Sequence, residues 1–323
     1  EMSASLVGSE MCIRDRNIRG KTNGIVLTGG EPFLHPNIMR ILEIIKEEKV
    51  IITTNATLES PYYYAALLEK YPNVFLQVSF DGMSKEVFEK VRGTKTYDQV
   101  KEVIEYLSMH EYGQQVGLSM SILACNIGEV LQVVHFAEEK KLHSVYFPTL
   151  ILEGRCESEP DLLPSVEKLN QVEDDLLVLA AENQELDISA NTLNRIAAWK
   201  QFGQNLNCIS NATLKITVDG EIMPCPVAWK KEESIGNIQN IHDFSQVINA
   251  LNEFHISKYE NAQCSKCEGK DICAKQFCEN CSIRKTNNSQ GRQYRCENLR
   301  HHYKNILKAV SYTHLRAHET SAH

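Results

Sequence analysis

From Gly24 to Leu150, short apolar runs alternate with amphipathic stretches. Ile25–Leu27, Val50–Thr54, Val74–Phe80, Val116–Leu123 and Val145–Leu150 read as strands. Between them, Ile38, Ile41, Leu42 and Ile45 recur at the spacing of one buried helix face. Val100, Val103, Ile104 and Leu107 mark a second such face, and Val130, Val133, Val134 and Ala137 a third. Repeated strand–helix units predict a parallel sheet covered by helices, an α/β fold. A partly closed barrel and an open doubly wound sheet both fit. The runs end in polar segments: TGGEP, TTNAT (Thr53 to Thr57), VSFDG (Val78 to Gly82) and LEGR (Leu152 to Arg155). In barrels of this class the functional face is the rim at the strands' C-terminal ends, so a ligand site is expected there.

The pattern changes at CESEPDLLPS (Cys156 to Ser165), an acidic, proline-containing break. Mostly helical sequence is expected from there to about Gly203. LKITVDGEIMPC (Leu214 to Cys225) reads as a hairpin turning at Asp219-Gly220. A helix near His242 to Phe254 and a last one at about residues 293–307 follow. The two ends, Ser3 to Arg16 and Ala309 to His323, have neither period nor caps and look like translated adapter read-through. Residues 1–16 and 310–323 are therefore set aside from fold reasoning, with Cys12, His314, His318 and His323. The expected domains are residues 17–155, a helical connector at 156–203, and a cysteine-rich domain at 204–309.

Composition narrows the classes. The chain has 323 residues, 42% of them hydrophobic, enough for one large domain or two smaller ones. A formal net charge of −8 without a basic stripe argues against a nucleic-acid partner. No window approaches the roughly 18 apolar residues of a membrane span, and no signal-peptide pattern opens the chain. Cytoplasmic localisation is expected. Eleven cysteines are then many, and eight of them lie from Cys208 onward, six within Cys264 to Cys296. In a reducing compartment that density points to metal or redox chemistry rather than disulfides.

Two features carry chemistry. The first is Gly29-Gly30-Glu31-Pro32 at a strand end. A strand-to-helix turn explains it, and so does a backbone that must approach a small ligand. The second is the cysteine set. Cys264-x2-Cys267 with Cys278-x2-Cys281 would suit a zinc ribbon, but a ribbon leaves Cys208, Cys225, Cys273 and Cys296 unexplained. Cys125 and Cys156 fall outside the pattern and read as incidental thiols.

TGGEP, TTNAT and VSFDGMSKEVFEKVRGTKTYDQVKEVI, in that order, resemble the radical S-adenosylmethionine (radical SAM) enzymes, with CNIGEV and PTLILEGR adding to the match. The C-terminal half resembles their SPASM extension, whose pattern C-x(9–15)-G-x4-C, C-x2-C-x5-C-x3-C, C is met by Cys208, Gly220 and Cys225, then Cys264, Cys267, Cys273, Cys278 and Cys296, with one extra residue before Cys278. The resemblance implies a partial (β/α)6 barrel, first strand missing, followed by a small cysteine-rich α+β domain. It implies S-adenosylmethionine held by backbone around Gly29, Gly30 and Glu31. Ser79, Asp81, Arg92 and Asn126 are further cofactor candidates on the same rim, though capping or a surface ion pair explains each equally well. Two auxiliary 4Fe–4S clusters are implied, one on Cys264, Cys267, Cys273 and Cys296. The other would take Cys208, Cys225 and Cys278, its fourth position being Cys281 or open. Thiolates suit iron as soft, anionic ligands.

The family's C-x3-C-x2-C, which ligates the SAM-binding cluster, does not precede Gly29, and an N-terminally truncated, inactive chain is the expectation. The parent protein would be an anaerobic oxidoreductase that generates a 5′-deoxyadenosyl radical, abstracts hydrogen and so modifies a peptide or protein. Its electron donor would be a flavodoxin or ferredoxin. Pro226 stands where sulfatase-maturing members carry aspartate, which disfavours that subtype. Action on a small molecule or tetrapyrrole, and a non-catalytic zinc-binding protein, are the two alternatives.

Overall fold

A computed structural model describes residues 24–148, 158–190, 214–224, 230–241, 243–255 and 296–302, with isolated positions at 150, 156, 228, 293 and 294. The chain divides into two compact units: residues 18–150 with 159–191, and residues 1–17 with 151–158 and 192–323.

The first unit is built on a parallel sheet. Its strands are β1 (Ile25–Leu27), β2 (Val50–Thr54), β3 (Val74–Ser79), β4 (Val116–Ser119), β5 (Ser144–Phe147) and β6 (Asp187–Ala190), paired strictly in chain order. An open doubly wound sheet reverses its strand order at a switch point, and this one does not. Sequential order with helical crossovers is the arrangement of a (β/α) barrel segment. The crossovers are α1 (Ile38–Ile44), α2 (Pro61–Lys70), the pair α3 (Lys85–Arg92) and α4 (Tyr97–Met109), α5 (Val130–Glu139) and α6 (Val166–Glu182). Ser60, Ser84 and Ser165 cap α2, α3 and α6, each accepting from the backbone N–H three residues on.

The helix-facing side of the sheet is the core. Val50, Ile52, Val74, Val78, Val116, Leu118 and Val145 are fully buried. They pack under Val100, Val103, Ile104 and Leu107 of α4 and Val130, Val133, Val134 and Ala137 of α5, also fully buried. On α1 only Ile38 and Leu42 are buried, and Ile45 falls at the C-cap rather than inside the helix.

Two sequence expectations are corrected here. The pattern predicts five strands, whereas six are present among the described residues. The stretch expected as a helical connector, 156–203, contains the sixth, because Ile188 and Ala190 pair beside Val145 and Phe147 of β5 and complete the buried face. Residues 159–191 accordingly belong to the first unit.

In the second unit, β7 (Lys215–Ile216), β8 (Glu221–Met223) and β9 (Gly236–Asn237) form an antiparallel sheet. The β7–β8 turn runs through Asp219-Gly220, with Gly220 at φ +80°, as the sequence predicts. Helix α7 (Phe244–His255) follows, and residues 296–302 are helical. No helix among the described residues is long and apolar enough to cross a membrane.

Candidate functional site

The site is assembled from loops that follow β1 to β4. After β1, Gly29 has φ +151°, a conformation open to glycine and little else. A side chain built at Gly29 or Gly30 would meet nothing within 4 Å. Among the described residues packing gives no reason for Gly30, and the space beside both glycines is open.

Glu31 fixes the shape of that loop. Its Oε1 accepts from the Thr54 hydroxyl at 2.8 Å and the Phe33 amide at 3.3 Å, and its Oε2 accepts from the Asn55 amide at 2.7 Å. The carboxylate thus caps the short helical turn Pro32–Leu34 and binds the glycine loop to the end of β2. Thr54 in turn accepts from Ala56, and Asn55 from Thr57, so the TTNAT segment is locked by its own side chains. Beneath it lies the fully buried Tyr64, whose phenol burial pushes up to about 12.

The loops after β3 and β4 form one hydrogen-bonded body. Asp81 accepts from the Ser121 amide at 2.8 Å through Oδ1 and lies 2.7 Å from Arg92 Nε through Oδ2. Burial raises the Asp81 pKa, while Arg92 and the Ser121 amide act against that rise. Asn126 is fully buried. Its amide donates to the carbonyls of Asp81 (3.1 Å) and Ser121 (2.9 Å) and accepts from the Leu123 amide (2.7 Å). Glu129 crosses from the β4 loop to the start of α3, accepting from the Met83 and Ser84 amides and the Ser84 hydroxyl. Gly82 makes this approach possible: a Cβ there would stand 2.9 Å from the Phe88 nitrogen and 3.0 Å from Glu129 Oε2.

The structure thus brings Asp81, Arg92 and Asn126 together, with Ser79 half-buried at the end of β3. Thr54, Asn55 and Glu129 lie in the motifs TTNAT and CNIGEV, but that they hold the rim in place is not legible locally, since the partners they fix lie 23 to 46 residues away in the chain. Of the cysteines expected as cluster ligands, Cys208, Cys225, Cys264, Cys267, Cys273, Cys278 and Cys281 lie outside the described residues. Cys296 is half-buried on the helical segment 296–302.

The sheet face opposite the helices is polar. In register, Ser79 stands beside Ser119, Ser119 beside Tyr146, and Tyr146 beside Ser189. All four are half-buried while their chain neighbours are buried. Residues in register share a face, and adjacent strands lie about 4.8 Å apart, so the row spans about 14 Å. One step toward the strand starts, Gln77 donates to the Leu118 carbonyl across Gly117, where a Cβ would come within 2.3 Å of Ser144 Oγ.

Comparison with known proteins bears on this geometry. The sequence profile of the radical SAM superfamily matches residues 11–137, and that of the SPASM iron–sulfur cluster-binding domain matches residues 208–268. The chain is 25% identical over 278 residues to the antilisterial bacteriocin subtilosin biosynthesis protein AlbA of Bacillus subtilis, covering 83% of this chain and 59% of that protein. It is 24% identical over 220 residues to a probable GTP 3′,8-cyclase of Sulfurisphaera tokodaii, covering 66% of this chain and 69% of that one. In fold it is similar to native anSMEcpe with bound AdoMet and Cp18Cys peptide, at TM-score 0.67, 16% identity and coverage of 94% of this chain and 90% of that one. Streptococcus suis SuiB bound to its precursor peptide SuiA gives TM-score 0.64 at 17% identity, over 83% of this chain and 64% of that one.

Proposed function

We propose, from the premise that this chain belongs to the radical SAM superfamily and carries a SPASM iron–sulfur domain, that it serves in the radical modification of a peptide or protein. The observation that carries the reading is the open glycine loop. Gly29 and Gly30 leave room that no side chain among the described residues claims, at a strand end tied down by Glu31. S-adenosylmethionine would be held there, its ammonium by backbone around Gly29, Gly30 and Glu31, with Ser79 at the end of β3 a further candidate contact. Bound in this position and given one electron by a SAM-binding iron–sulfur cluster, it would supply a 5′-deoxyadenosyl radical for hydrogen abstraction, chemistry that belongs to the cofactors while the protein orients them.

The remaining rim residues act through these. Asp81, Arg92, Asn126 and Glu129 hold the β3 and β4 loops in a single arrangement, so that the cofactor meets a surface already shaped for it. We assign the first three a positioning role. The hydroxyl row Ser119–Tyr146–Ser189 leads away from the cofactor half of the sheet and offers donors and acceptors to a polar substrate. Auxiliary 4Fe–4S clusters are proposed on Cys208, Cys225, Cys264, Cys267, Cys273, Cys278, Cys281 and Cys296, with a flavodoxin or ferredoxin as electron donor.

A peptide substrate is supported by the named relatives: a bacteriocin biosynthesis protein, and neighbours solved with peptides. The chain spans about three fifths of the length of AlbA. The GTP 3′,8-cyclase relative favours a second reading, action on a small molecule. Anaerobic reconstitution with iron and sulfide tests the assignment. The expected product is brown, holds about eight iron atoms per chain for two 4Fe–4S clusters, and binds S-adenosylmethionine in equilibrium dialysis. A colourless, zinc-loaded protein that ignores S-adenosylmethionine overturns it. A short peptide gene beside the coding sequence would separate the peptide reading from the small-molecule one.

A further inference from the structure

Away from the rim, helices α2 and α4 and the turn after α4 line an open, shallow cleft of about 510 Å³. None of its lining residues belongs to a loop that follows a strand. Two of the most exposed large apolar side chains among the described residues line it: Met109 at 72% and Tyr62 at 69% exposure. Burial in the core does not account for either.

The aromatic groups are pre-arranged. Tyr62 meets Tyr106 edge-on at 4.9 Å between ring centroids, and Tyr106 stacks on the His110 imidazole at 3.9 Å. The imidazole is itself held by a 2.8 Å contact between Nδ1 and the Tyr106 carbonyl. Rigid aromatics that lose little freedom on binding are typical anchors of protein interfaces. Around them the charge is one-sided. Glu69 and Glu111 line the cleft, and no lysine or arginine does among the described residues.

We propose that this cleft docks a basic, apolar-anchored peptide segment of a separate protein. An aliphatic or aromatic side chain covers Met109 and Tyr62, and a lysine or arginine lies against the tyrosine faces and the Glu69 and Glu111 carboxylates. Tyrosine rings attract cations through their faces, and paired carboxylates reinforce that preference. A second copy is the poorer occupant. A two-fold contact would set Glu69 and Glu111 against their own equivalents, in a chain of net charge −8. Anionic lipid and nucleic acid are repelled for the same reason.

Fluorescence anisotropy on the full chain tests this with three short labelled peptides. One alternates leucine and lysine around a single tryptophan, the second replaces each lysine by glutamate, and the third is glycine–serine. The leucine–lysine peptide is expected to bind and the others not. Tyr62→Ser and Met109→Ser, both at exposed positions, should each weaken it by about tenfold or more. Glu69→Gln with Glu111→Gln should weaken it and flatten its salt dependence. Should Tyr62→Ser disturb the fold by circular dichroism, Met109→Ser and the glutamine pair decide. Binding that all variants retain, equal binding of the glutamate peptide, no binding of any peptide, or self-association through the cleft in sedimentation overturns the proposal.

Discussion

Glu31 and Asn55 are joined by a 2.7 Å hydrogen bond from the Asn55 amide to Glu31 Oε2, which ties the glycine loop after β1 to the end of β2. The same carboxylate takes the Thr54 hydroxyl at 2.8 Å. An ionised acceptor serving several donors is worth more than a neutral one. Glu31→Ala should therefore cost about 2–3 kcal/mol of stability. Glu31→Gln keeps an acceptor and should cost about 1 kcal/mol. Urea unfolding measures both. Calorimetric titration should show S-adenosylmethionine affinity falling in the same order, because the loop that receives it is no longer pinned.

Gly29 and Gly30 are expected to part company under mutation. At Gly30 an added methyl meets no neighbour among the described residues, so Gly30→Ala should leave stability within about 0.5 kcal/mol of the parent. The methyl would instead enter the proposed cofactor space and lower S-adenosylmethionine affinity by about tenfold or more, roughly 1.4 kcal/mol. Gly29→Ala forces a side chain into φ +151° and should lose about 1–3 kcal/mol of stability as well. Thermal unfolding and titration of the two variants side by side separate strain from ligand contact. Equal stability losses would contradict the ligand reading of Gly30.

The strands that were readable from sequence are those whose apolar run is continuous or nearly so, such as Val50–Thr54 and Val74–Ser79. The segment Asp187–Ala190 escaped because it offers only Ile188 and Ala190 to the core, while Asp187 and Ser189 belong to the polar face. The same polarity hid the row from Ser79 to Ser189, since register joins residues from four strands. Motif order located the rim loops, but not how they are held. Ser84 caps α3, and that it also donates to Glu129, 45 residues on, depends on the packing of α3 against the β4 loop.

Asp81 and Arg92 predict a pH dependence. Asp81 is 5% exposed, and burial lifts its pKa above the usual aspartate value even with Arg92 beside it. A carboxyl with a raised folded pKa holds its proton more tightly folded than unfolded. Its contribution to stability therefore falls as pH rises from the unfolded value of about 3.9 through the folded one. Arg92→Gln removes the main attraction that opposes this rise, so the folded pKa climbs further. The variant should lose about 2–3 kcal/mol near neutral pH, where Asp81 is left charged or must take up a proton. The loss should shrink at about pH 5, where taking up that proton costs less than at neutral pH. Urea unfolding at the two pH values checks the sign: a penalty that grows toward acid would place the charge elsewhere.

Asn126 offers the sharpest test of the joined β3 and β4 loops, because all three of its hydrogen bonds go to backbone and none of its surface is exposed. Asn126→Ala deletes the three bonds and leaves two carbonyls and an amide without it, a loss of about 3 kcal/mol. Asn126→Asp has the same shape but places a carboxylate oxygen against the carbonyls of Asp81 and Ser121. It should lose at least as much near neutral pH and recover in acid, where a protonated carboxyl regains one donor. Asn126→Ala should not recover. Unfolding curves of the two variants across pH check this contrast, and hydrogen exchange at the Leu123 amide, which loses its acceptor only in Asn126→Ala, should rise more in that variant. Should Asn126→Asp instead match the parent at neutral pH, Asn126 would not be the pin that joins the two loops.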